Sequence, residues 1–519
     1  MHAGARLSDR PPGDRPPLSA LREVGCGALA VGLPLLVYLR TMAPTVYGLD
    51  SAELTTGAYA LGIVHAPGSP TYMLLGHVFA QLPLGDVGYR LNLMSAVAAA
   101  LAVLFLYLVL RRLTGEAALA LCASWFVAFT YYFWVSALAA ELYAVHAAVT
   151  AALLVLALRW REAARPRDLY ALALLCGLGA GNHLSMVLLL PGFAWLVATG
   201  SARPSWRALL SSAAALAVGL AVYLYLPIRF RSDTPLNYAR TYWGIDLSTP
   251  SGFMWMLSAR MFESFIFGVA PRDLPHEIVT YVTRLWSNFV GLGAVLGVVG
   301  LYGDARNRPS LHVGLALLFL GHLAFYLPYG VMDKDLMLLP TYLVWTVWAA
   351  IGAQVLAGWC ARRRLPMSAA ALVGLLAVGA LAMNFSRLDL SEDWSARQRG
   401  EEILATLPPD AVYLGSWLDV PILEYLQIVE GQRRDIRTEN LVFRAGGGRI
   451  ATDVLRAGGS VFTALPDRLA DTPGLCTEYV AACDCYRIDR AGRCLVEVPR
   501  PQTGGAARAS RAGAGSDRE

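Results

Sequence analysis

Long apolar runs without a single charge constrain this chain more than any other feature of its sequence. Three of them cover residues 96–110, 147–158 and 208–226. An α-helix rises about 1.5 Å per residue, so roughly 20 apolar residues span the hydrocarbon core of a bilayer. Only 16% of the 519 residues are charged, against about a quarter in an average soluble domain. The runs therefore predict a polytopic α-helical membrane protein and exclude a soluble enzyme, a disordered chain or a nucleic-acid-binding domain.

The apolar pattern predicts eleven membrane spans. They cover approximately residues 22–40, 90–110, 117–134, 139–158, 168–182, 184–199, 207–228, 280–302, 311–329, 338–358 and 367–384. The stretch 70–82 is apolar but short, and we interpret it as an interfacial or re-entrant helix. The alternative is a twelfth span, which would reverse the orientation of every later element.

Arginines in the short loops predict how these spans are oriented. If the N-terminus is cytoplasmic, every short inner loop contains arginine, whereas the only basic residue of the short outer loops is Lys334. Basic residues concentrate on the cytoplasmic side of membrane proteins, and this bias is strongest in short loops. We therefore expect the N-terminus inside the cytoplasm and the C-terminal segment outside it.

Composition divides the chain into four segments. We expect a disordered cytoplasmic tail at 1–21, a transmembrane domain at 22–384, a small extracytoplasmic α/β domain at 385–500 and a flexible tail at 501–519. In the third segment, the patterns predict helices at 401–407 and 420–430 and strands at 411–415 and 433–438.

Four cysteines cluster in the predicted outer domain: Cys476, Cys483, Cys485 and Cys494. In an oxidising compartment they predict two disulfides, which three different pairings satisfy. A zinc site is the alternative, although the Cys-x-Cys spacing departs from that of zinc fingers.

The first predicted outer segment contains the most conspicuous polar residues. Asp50 and Glu53 are three residues apart, so on a helix they share one face. The alternative is that they only cap that helix. His65 follows at the start of His-Ala-Pro-Gly-Ser-Pro, where two prolines and a glycine hold the backbone out of a helix. This turn either presents the histidine to a phosphate or simply starts the next helix.

Further polar residues lie at the predicted outer ends of later spans. Glu141 and Tyr143 stand at the start of the fourth span, with His146 about one turn deeper. Asn182 and His183 occupy the short connection between the fifth and sixth spans. Ionisable groups at membrane depth are costly and often functional. For His146 we favour the simpler interpretation, a neutral histidine that is hydrogen-bonded inside the bundle.

Two charged groups complete the candidates. Arg229 and Arg231 follow the seventh span, and guanidinium groups match phosphate oxygens well. The alternative for both is contact with lipid headgroups. Asp333 and Asp335 flank Lys334 just before the tenth span, where a solvated turn is the alternative.

Several stretches together carry a family resemblance. They are Asp50-Ser-Ala-Glu53, His65-Ala-Pro-Gly-Ser-Pro70, Gly85–Asn92, Glu141-Leu-Tyr143, Gly181-Asn-His183, Tyr225-Leu-Pro-Ile-Arg229 and Asp333-Lys-Asp335. The chain resembles the bacterial relatives of the eukaryotic transmembrane O-mannosyltransferases that modify plexin-type domains, in the GT-C superfamily of glycosyltransferases. It departs from the family pattern at Ala52, where glycine is expected, and at Ala66, where proline is expected.

The resemblance implies a fold of about eleven transmembrane helices, GT-C-like over 22–384, in a bacterial inner membrane. It implies inverting transfer of a sugar, mannose by analogy, from a polyprenyl-phosphate donor to an extracytoplasmic hydroxyl. A protein Ser or Thr, a lipid or a glycan are the candidate acceptors. A transporter or flippase of a lipid-linked substrate is the alternative, but it would place ionisable groups nearer mid-membrane.

The resemblance and the residue chemistry together suggest roles for the site residues. Asp50 would be the general base, and Glu53 would orient it. His65, Arg229 and Arg231 would bind the phosphate. The remaining candidates would bind the substrate: Glu141, Tyr143, Asn182, His183, Asp333 and Asp335. No cofactor is required by this scheme, but a divalent metal held by the acidic pair is an alternative.

Overall fold

The structure is a computed structural model. It describes residues 17–331, 334–443, 446–469 and 472–490, with side chains from residue 23 onward. The chain divides into two compact units between Trp394 and Ser395. Residues 17–21, which we expected in the N-terminal tail, are helical. The rest of that tail and the predicted C-terminal tail lie outside the described residues.

The first unit is built from α-helices. Among its described residues these are α1 (Pro17–Thr41), α2 (Asp50–Ala60), α3 (Pro70–Ala80), α4 (Val87–Thr114), α5 (Ala117–Ala128), α6 (Tyr131–Val135), α7 (Leu142–Ala163), α8 (Pro166–Ala180), α9 (Met186–Ala198), α10 (Trp206–Leu220), α11 (Tyr225–Arg231), α12 (Tyr238–Thr241), α13 (Pro250–Leu257), α14 (Leu274–Asn288), α15 (Leu292–Asp304), α16 (Pro309–Tyr326), α17 (Leu339–Arg362) and α18 (Ala369–Asn384). Short 3-10 turns occupy Ala221–Leu224, Arg260–Phe265 and Leu336–Leu338.

The apolar helices make this a multi-pass membrane protein. Six stretches of the described residues are long and apolar enough to cross a membrane: α1, α4, α7, α10 continuing into α11, α16, and α17 with the turn before it. Helices α5, α9 and α18 are apolar but shorter. Every predicted span overlaps a helix, and the short stretch 70–82 contains α3.

The predicted span at 280–302 is replaced by two helices. Helices α14 and α15 meet at an angle of 106°. Val290 and Gly291, between them, have positive φ angles of 51° and 61°, which a right-handed helix cannot contain. The residues at this break are apolar, so hydropathy alone predicts a continuous span.

Close helix contacts pass through glycine. An added Cβ at Gly300 of α15 would lie 1.9 Å from the carbonyl oxygen of Trp348, and one at Gly352 of α17 would lie 1.9 Å from that of Leu296. Small residues of this kind let membrane helices approach each other backbone to backbone.

The second unit is an α/β domain. Its helices are α19 (Ser395–Thr406), α20 (Val420–Ile428) and α21 (Gly447–Arg456), and its strands are β1 (Val412–Gly415), β2 (Arg437–Asn440), β3 (Val461–Thr463), β4 (Leu475–Val480) and β5 (Cys485–Arg490). The five strands are ordered β2-β1-β3-β5-β4. Strand β1 runs parallel to β2 and β3, whereas β5 runs antiparallel to β3 and β4.

The elements of this unit lie close to the positions expected from the sequence. The strand predicted at 433–438 begins later, at Arg437, because Arg433 turns back to donate hydrogen bonds to the carbonyls of Leu404 and Leu407. The sheet packs a core that includes Val412, Leu414 and Val461.

The clustered cysteines favour the disulfide interpretation. Cys483 and Cys485 form a disulfide, and Cys476 is also disulfide-bonded. Cys494 lies outside the described residues. A zinc ion needs free thiolates, which these bonds consume.

Candidate active site

Helix α2 begins at Asp50 and carries both predicted acids in its first turn. Leu49, immediately before it, has a φ of 58°, a conformation that residues with a side chain rarely adopt and that is common near active sites. Leu49 is the N-cap residue, so Asp50 is the first residue of the helix rather than its cap. Glu53 is fully buried. The partial positive charge at a helix N-terminus favours both carboxylates.

Glu53 binds His65 through both carboxylate oxygens. The Nδ1 atom of His65 lies 2.6 Å from Oε2, and the backbone N–H of His65 donates to Oε1 at 2.6 Å. The turn between α2 and α3 thus returns the chain onto the first turn of α2. This brings together the two motifs that the sequence places 12 residues apart.

Electrostatics make this contact an ion pair. Burial raises the pKa of the Glu53 carboxyl above its usual value, and His65 partly opposes that effect. Burial also disfavours a charged imidazole, but the charge and hydrogen bond of Glu53, together with Asp50 and Glu141, outweigh it and raise the pKa of His65 to about 9. At neutral pH His65 is therefore a largely buried cation beside three acids.

The ion pair predicts a pH-dependent stability. The folded-state pKa of His65, about 9, exceeds the ordinary 6.5, so its contribution is complete below pH 6.5 and is lost as the pH rises through 9. We expect the free energy of unfolding in detergent to fall by about 3 kcal/mol over this interval. His65→Gln should remove this slope, whereas His276→Gln, at an exposed histidine, should retain it. A slope unchanged in His65→Gln would contradict the ion pair.

The same three side chains form a candidate metal site. Asp50, Glu53 and His65 each offer one ligand atom, and these atoms lie within 4.8 Å of one another. Two carboxylates and an imidazole suit a divalent transition metal. A metal on Nδ1 would displace its contact with Glu53, so protonation of His65 and metal binding compete.

Helix α7 contributes one wall of the site. Glu141 directly precedes α7, and its backbone N–H donates to the hydroxyl of Ser95 at 3.2 Å. The charge of Glu141 acts on His65. The ring of Tyr143 lies 5.7 Å from that of His183.

The turn between α8 and α9 contributes another wall. The side-chain amide of Asn182 donates to the carbonyl of Leu142 at 3.1 Å, which ties this turn to the start of α7. Burial and the nearby His65 lower the pKa of His183 to about 4, so this imidazole is neutral. The structure thus gathers seven predicted residues in one region: Asp50, Glu53, His65, Glu141, Tyr143, Asn182 and His183.

Asn92 connects two segments that carry site residues. It was not predicted from the sequence as a functional residue. It is fully buried on α4. Its amide donates to the carbonyls of Ala43 and Thr45, at 2.9 and 2.8 Å, and its oxygen accepts from the backbone N–H of Ala140 at 2.9 Å. One side chain therefore positions both the segment that leads to Asp50 and the one that leads to Glu141. The only signal in the sequence is a lone amide at the start of a charge-free run.

Asn92→Ala should destabilise the protein by about 2–5 kcal/mol, because three buried backbone groups lose their partner. Thermal unfolding in detergent measures this. Asn307→Ala, at an exposed asparagine, is the matched control and should change stability by less than about 0.5 kcal/mol. Equal effects of the two variants would contradict the bracing role of Asn92.

Phe262 covers His65 from the long loop after α11. The two rings make an edge-to-face contact with centroids 5.9 Å apart. This phenylalanine could not be singled out from the sequence, because no periodicity links the loop to His65.

Arg229, one of the two arginines predicted to bind phosphate, contacts the C-terminal end of α2. The Nε of Arg229 donates to the carbonyl of Leu61 at 2.8 Å, and Nη2 contacts that of Ala60 at 3.4 Å. Arg229 therefore satisfies the C-terminal end of α2, whereas Asp50 begins that helix, about 16 Å away along its axis. Arg231 is exposed.

The last predicted group joins another part of the fold. Asp335 pairs with Arg284 of α14. Lys334, next to it, pairs with Glu277 of the same helix at 2.8 Å. The turn before α17 is therefore anchored to α14 rather than freely solvated. Asp333 lies outside the described residues.

One family model matches the segment that contains seven of the predicted site residues. The model of the protein O-mannosyl-transferase TMEM260 N-terminal domain matches residues 50–206. Residues 50–206 are thus similar to the N-terminal domain of this family. The matched segment includes all seven of the gathered residues, whereas Arg229, Arg231, Asp333 and Asp335 lie beyond it.

Two curated relatives extend this family likeness. Protein O-mannosyl-transferase TMEM260 from Mus musculus is 27% identical over 433 residues, which cover 77% of this chain and 60% of the relative. The Dictyostelium discoideum protein of that name is 23% identical over 462 residues, which cover 77% and 55%. The chain thus spans little more than half the length of these relatives.

Solved structures define the fold of the chain. ArnT from Cupriavidus metallidurans in the apo state has a TM-score of 0.55, with 90% of this chain and 98% of ArnT covered. The same protein bound to undecaprenyl phosphate has a TM-score of 0.54, with 91% and 98% covered. Sequence identity is 14% in both cases. The chain therefore has the fold of ArnT.

Proposed function

We propose that this protein is an inverting glycosyltransferase of the O-mannosyltransferase type. It moves a sugar, mannose by analogy with its relatives, from a polyprenyl-phosphate donor to an acceptor hydroxyl. The reaction takes place at the extracytoplasmic face of a bacterial inner membrane, and the acceptor is a protein Ser or Thr, a lipid or a glycan. The observation that carries the proposal is the Asp50, Glu53 and His65 cluster inside the segment that matches the family model.

Asp50 is the general base in this proposal. It is partly exposed at the first turn of α2 and is therefore accessible to an acceptor. Its carboxylate takes the proton of the acceptor hydroxyl as the acceptor oxygen bonds to the anomeric carbon of the sugar. The bond from that carbon to the phosphate oxygen breaks, and polyprenyl phosphate leaves with the bonding electrons.

His65 stabilises the departing phosphate. Its Nδ1 is held by Glu53. In this proposal its other ring nitrogen, Nε2, donates a hydrogen bond to the leaving phosphate. A cation that is already buried and oriented needs little reorganisation when charge develops on the phosphate. Glu53 thus acts through His65. Arg229 is better placed to hold α2 than to bind phosphate.

A metal at the same cluster is the alternative route to phosphate binding. Asp50, Glu53 and His65 would hold it, and it would supply a positive charge beside the phosphate. Transfer that survives chelation with EDTA supports the imidazolium, whereas transfer that a divalent metal restores after chelation supports the metal.

Loss of the gene tests the proposal in the cell. The envelope proteins, lipids and glycans of a deletion strain should lack one mannose-containing modification, and mass spectrometry would identify the acceptor. Re-expression of the wild-type chain should restore it, whereas Asp50→Asn should not. An unchanged glycan profile in all three fractions would contradict the proposal.

A further inference from the structure

A chain of three polar side chains runs from the site into the bundle. His183, in the turn between α8 and α9, has its Nδ1 2.7 Å from the hydroxyl oxygen of Ser185. That oxygen lies 3.2 Å from Nε2 of His146 on α7. Ser185 and His146 are buried, whereas His183 is partly exposed. The reaction proposed above uses neither Ser185 nor His146.

The donors in this chain can be assigned from chemistry alone. The backbone N–H of Ser185 can only donate, and it points at Nδ1 of His183 from 3.3 Å. Nδ1 therefore carries a lone pair and no hydrogen. Because a second lone pair at 2.7 Å would be repelled, the Ser185 hydroxyl also donates to this nitrogen. Having given its hydrogen to His183, the hydroxyl can only accept from Nε2 of His146, so this nitrogen must carry the hydrogen.

We propose that Ser185 and His146 are positioning residues that fix His183 in the tautomer with a hydrogen on Nε2, so that His183 donates a hydrogen bond to a hydroxyl of the transferred sugar. The identity of this ligand rests on the proposed function, whereas the tautomer does not. His183 is the exposed end of the chain, and its ring lies beside Tyr143 at the site. The hydrogen bonds of these three side chains all point the same way. His146 donates to Ser185, Ser185 donates to His183, and His183 donates to the ligand.

A neutral donor suits the sugar better than the phosphate. Burial and the nearby His65 keep the pKa of His183 at about 4, so the imidazole carries no charge at neutral pH. A phosphate gains most from a cation, and His65 already provides one. A sugar hydroxyl is uncharged and needs only a donor of fixed direction.

The first test reads the tautomer directly. In protein labelled with ¹⁵N-histidine, the His183 signals, assigned with His183→Gln, should show Nδ1 without hydrogen and Nε2 with hydrogen. Ser185→Thr, which keeps the hydroxyl, should preserve this pattern. Ser185→Val, which has the shape of threonine without the hydroxyl, keeps only the longer backbone contact of 3.3 Å to Nδ1 and should give a mixture of tautomers. A hydrogen on Nδ1 in the wild type, or an unchanged pattern in Ser185→Val, would overturn the assignment.

The second test separates sugar from phosphate without needing turnover. Binding of polyprenyl-phosphate mannose to purified protein should weaken about three- to tenfold in Ser185→Val, as expected for one misdirected hydrogen bond. Ser185→Thr should restore it, and binding of polyprenyl phosphate without sugar should be equal in all three proteins. If Ser185→Val weakened the binding of both lipids equally, His183 would contact the phosphate rather than the sugar, and the proposal would be overturned. A wild type that binds neither lipid would refute the proposed function and the sugar ligand, while the tautomer result would stand.

Discussion

Asp50→Asn is expected to lower the rate of sugar transfer by about 10²–10⁴-fold, the usual contribution of a positioned general base. Asparagine has nearly the shape of aspartate, but it cannot accept the proton of the acceptor hydroxyl. Asp50 stands at the first turn of α2, where the carboxylate does not cap the helix. The variant should therefore insert and fold normally, with unchanged donor affinity.

A matched substitution separates catalysis from general charge effects. Asp273→Asn removes an exposed carboxylate just before α14, where its side chain pairs with the exposed Arg272. This control should keep nearly full activity. Transfer by Asp50→Asn within a few-fold of the control would show that another group is the base.

Glu53→Gln should have the second-largest effect, on stability as well as on transfer. The substitution removes the counter-ion of a buried imidazolium, and breaking one half of a buried ion pair costs about 3–5 kcal/mol. His65 is then easier to deprotonate, so the cation proposed to stabilise the leaving phosphate is lost at neutral pH. Chemical unfolding in detergent and transfer assays at pH 7 measure the two consequences.

The double variant Glu53→Gln/His65→Gln is the decisive companion. Two neutral amides can hydrogen-bond each other without leaving a buried charge, so the double variant should be more stable than the sum of the single losses predicts. Glu392→Gln, at an exposed glutamate, is the matched control and should leave stability unchanged. Strictly additive losses would contradict a coupled ion pair.

The helical architecture was largely predictable because each apolar run is contiguous and its length is set by the bilayer. The break between α14 and α15 was not. Val290 and Gly291 are apolar and fit the hydropathy of a span, and only their positive φ angles reveal the turn. Hydropathy indicates which residues can lie in lipid, whereas a sharp bend of the backbone depends on its dihedral angles.

The site was predictable in part for a similar reason. Helical spacing placed Asp50 and Glu53 on one face, but the return of His65 onto Glu53 depends on the path of a turn that has no periodicity. Arginine chemistry suggested phosphate for Arg229, yet two carbonyls at the end of α2 are its partners. A side chain with five donors has many suitable acceptors, and the sequence cannot choose among them.

Reconstituted vesicles provide the most direct test of the central claim, that this protein transfers a sugar with Asp50 as base. The vesicles contain polyprenyl-phosphate [¹⁴C]mannose and receive an extract of the cell envelope as the source of acceptors. Wild-type protein should release polyprenyl phosphate and transfer the label to an acceptor. Asp50→Asn should leave the labelled lipid intact. The contrary result is a labelled lipid that crosses the bilayer with its sugar–phosphate bond intact, to the same extent with both proteins. That result would identify a lipid transporter and contradict the account.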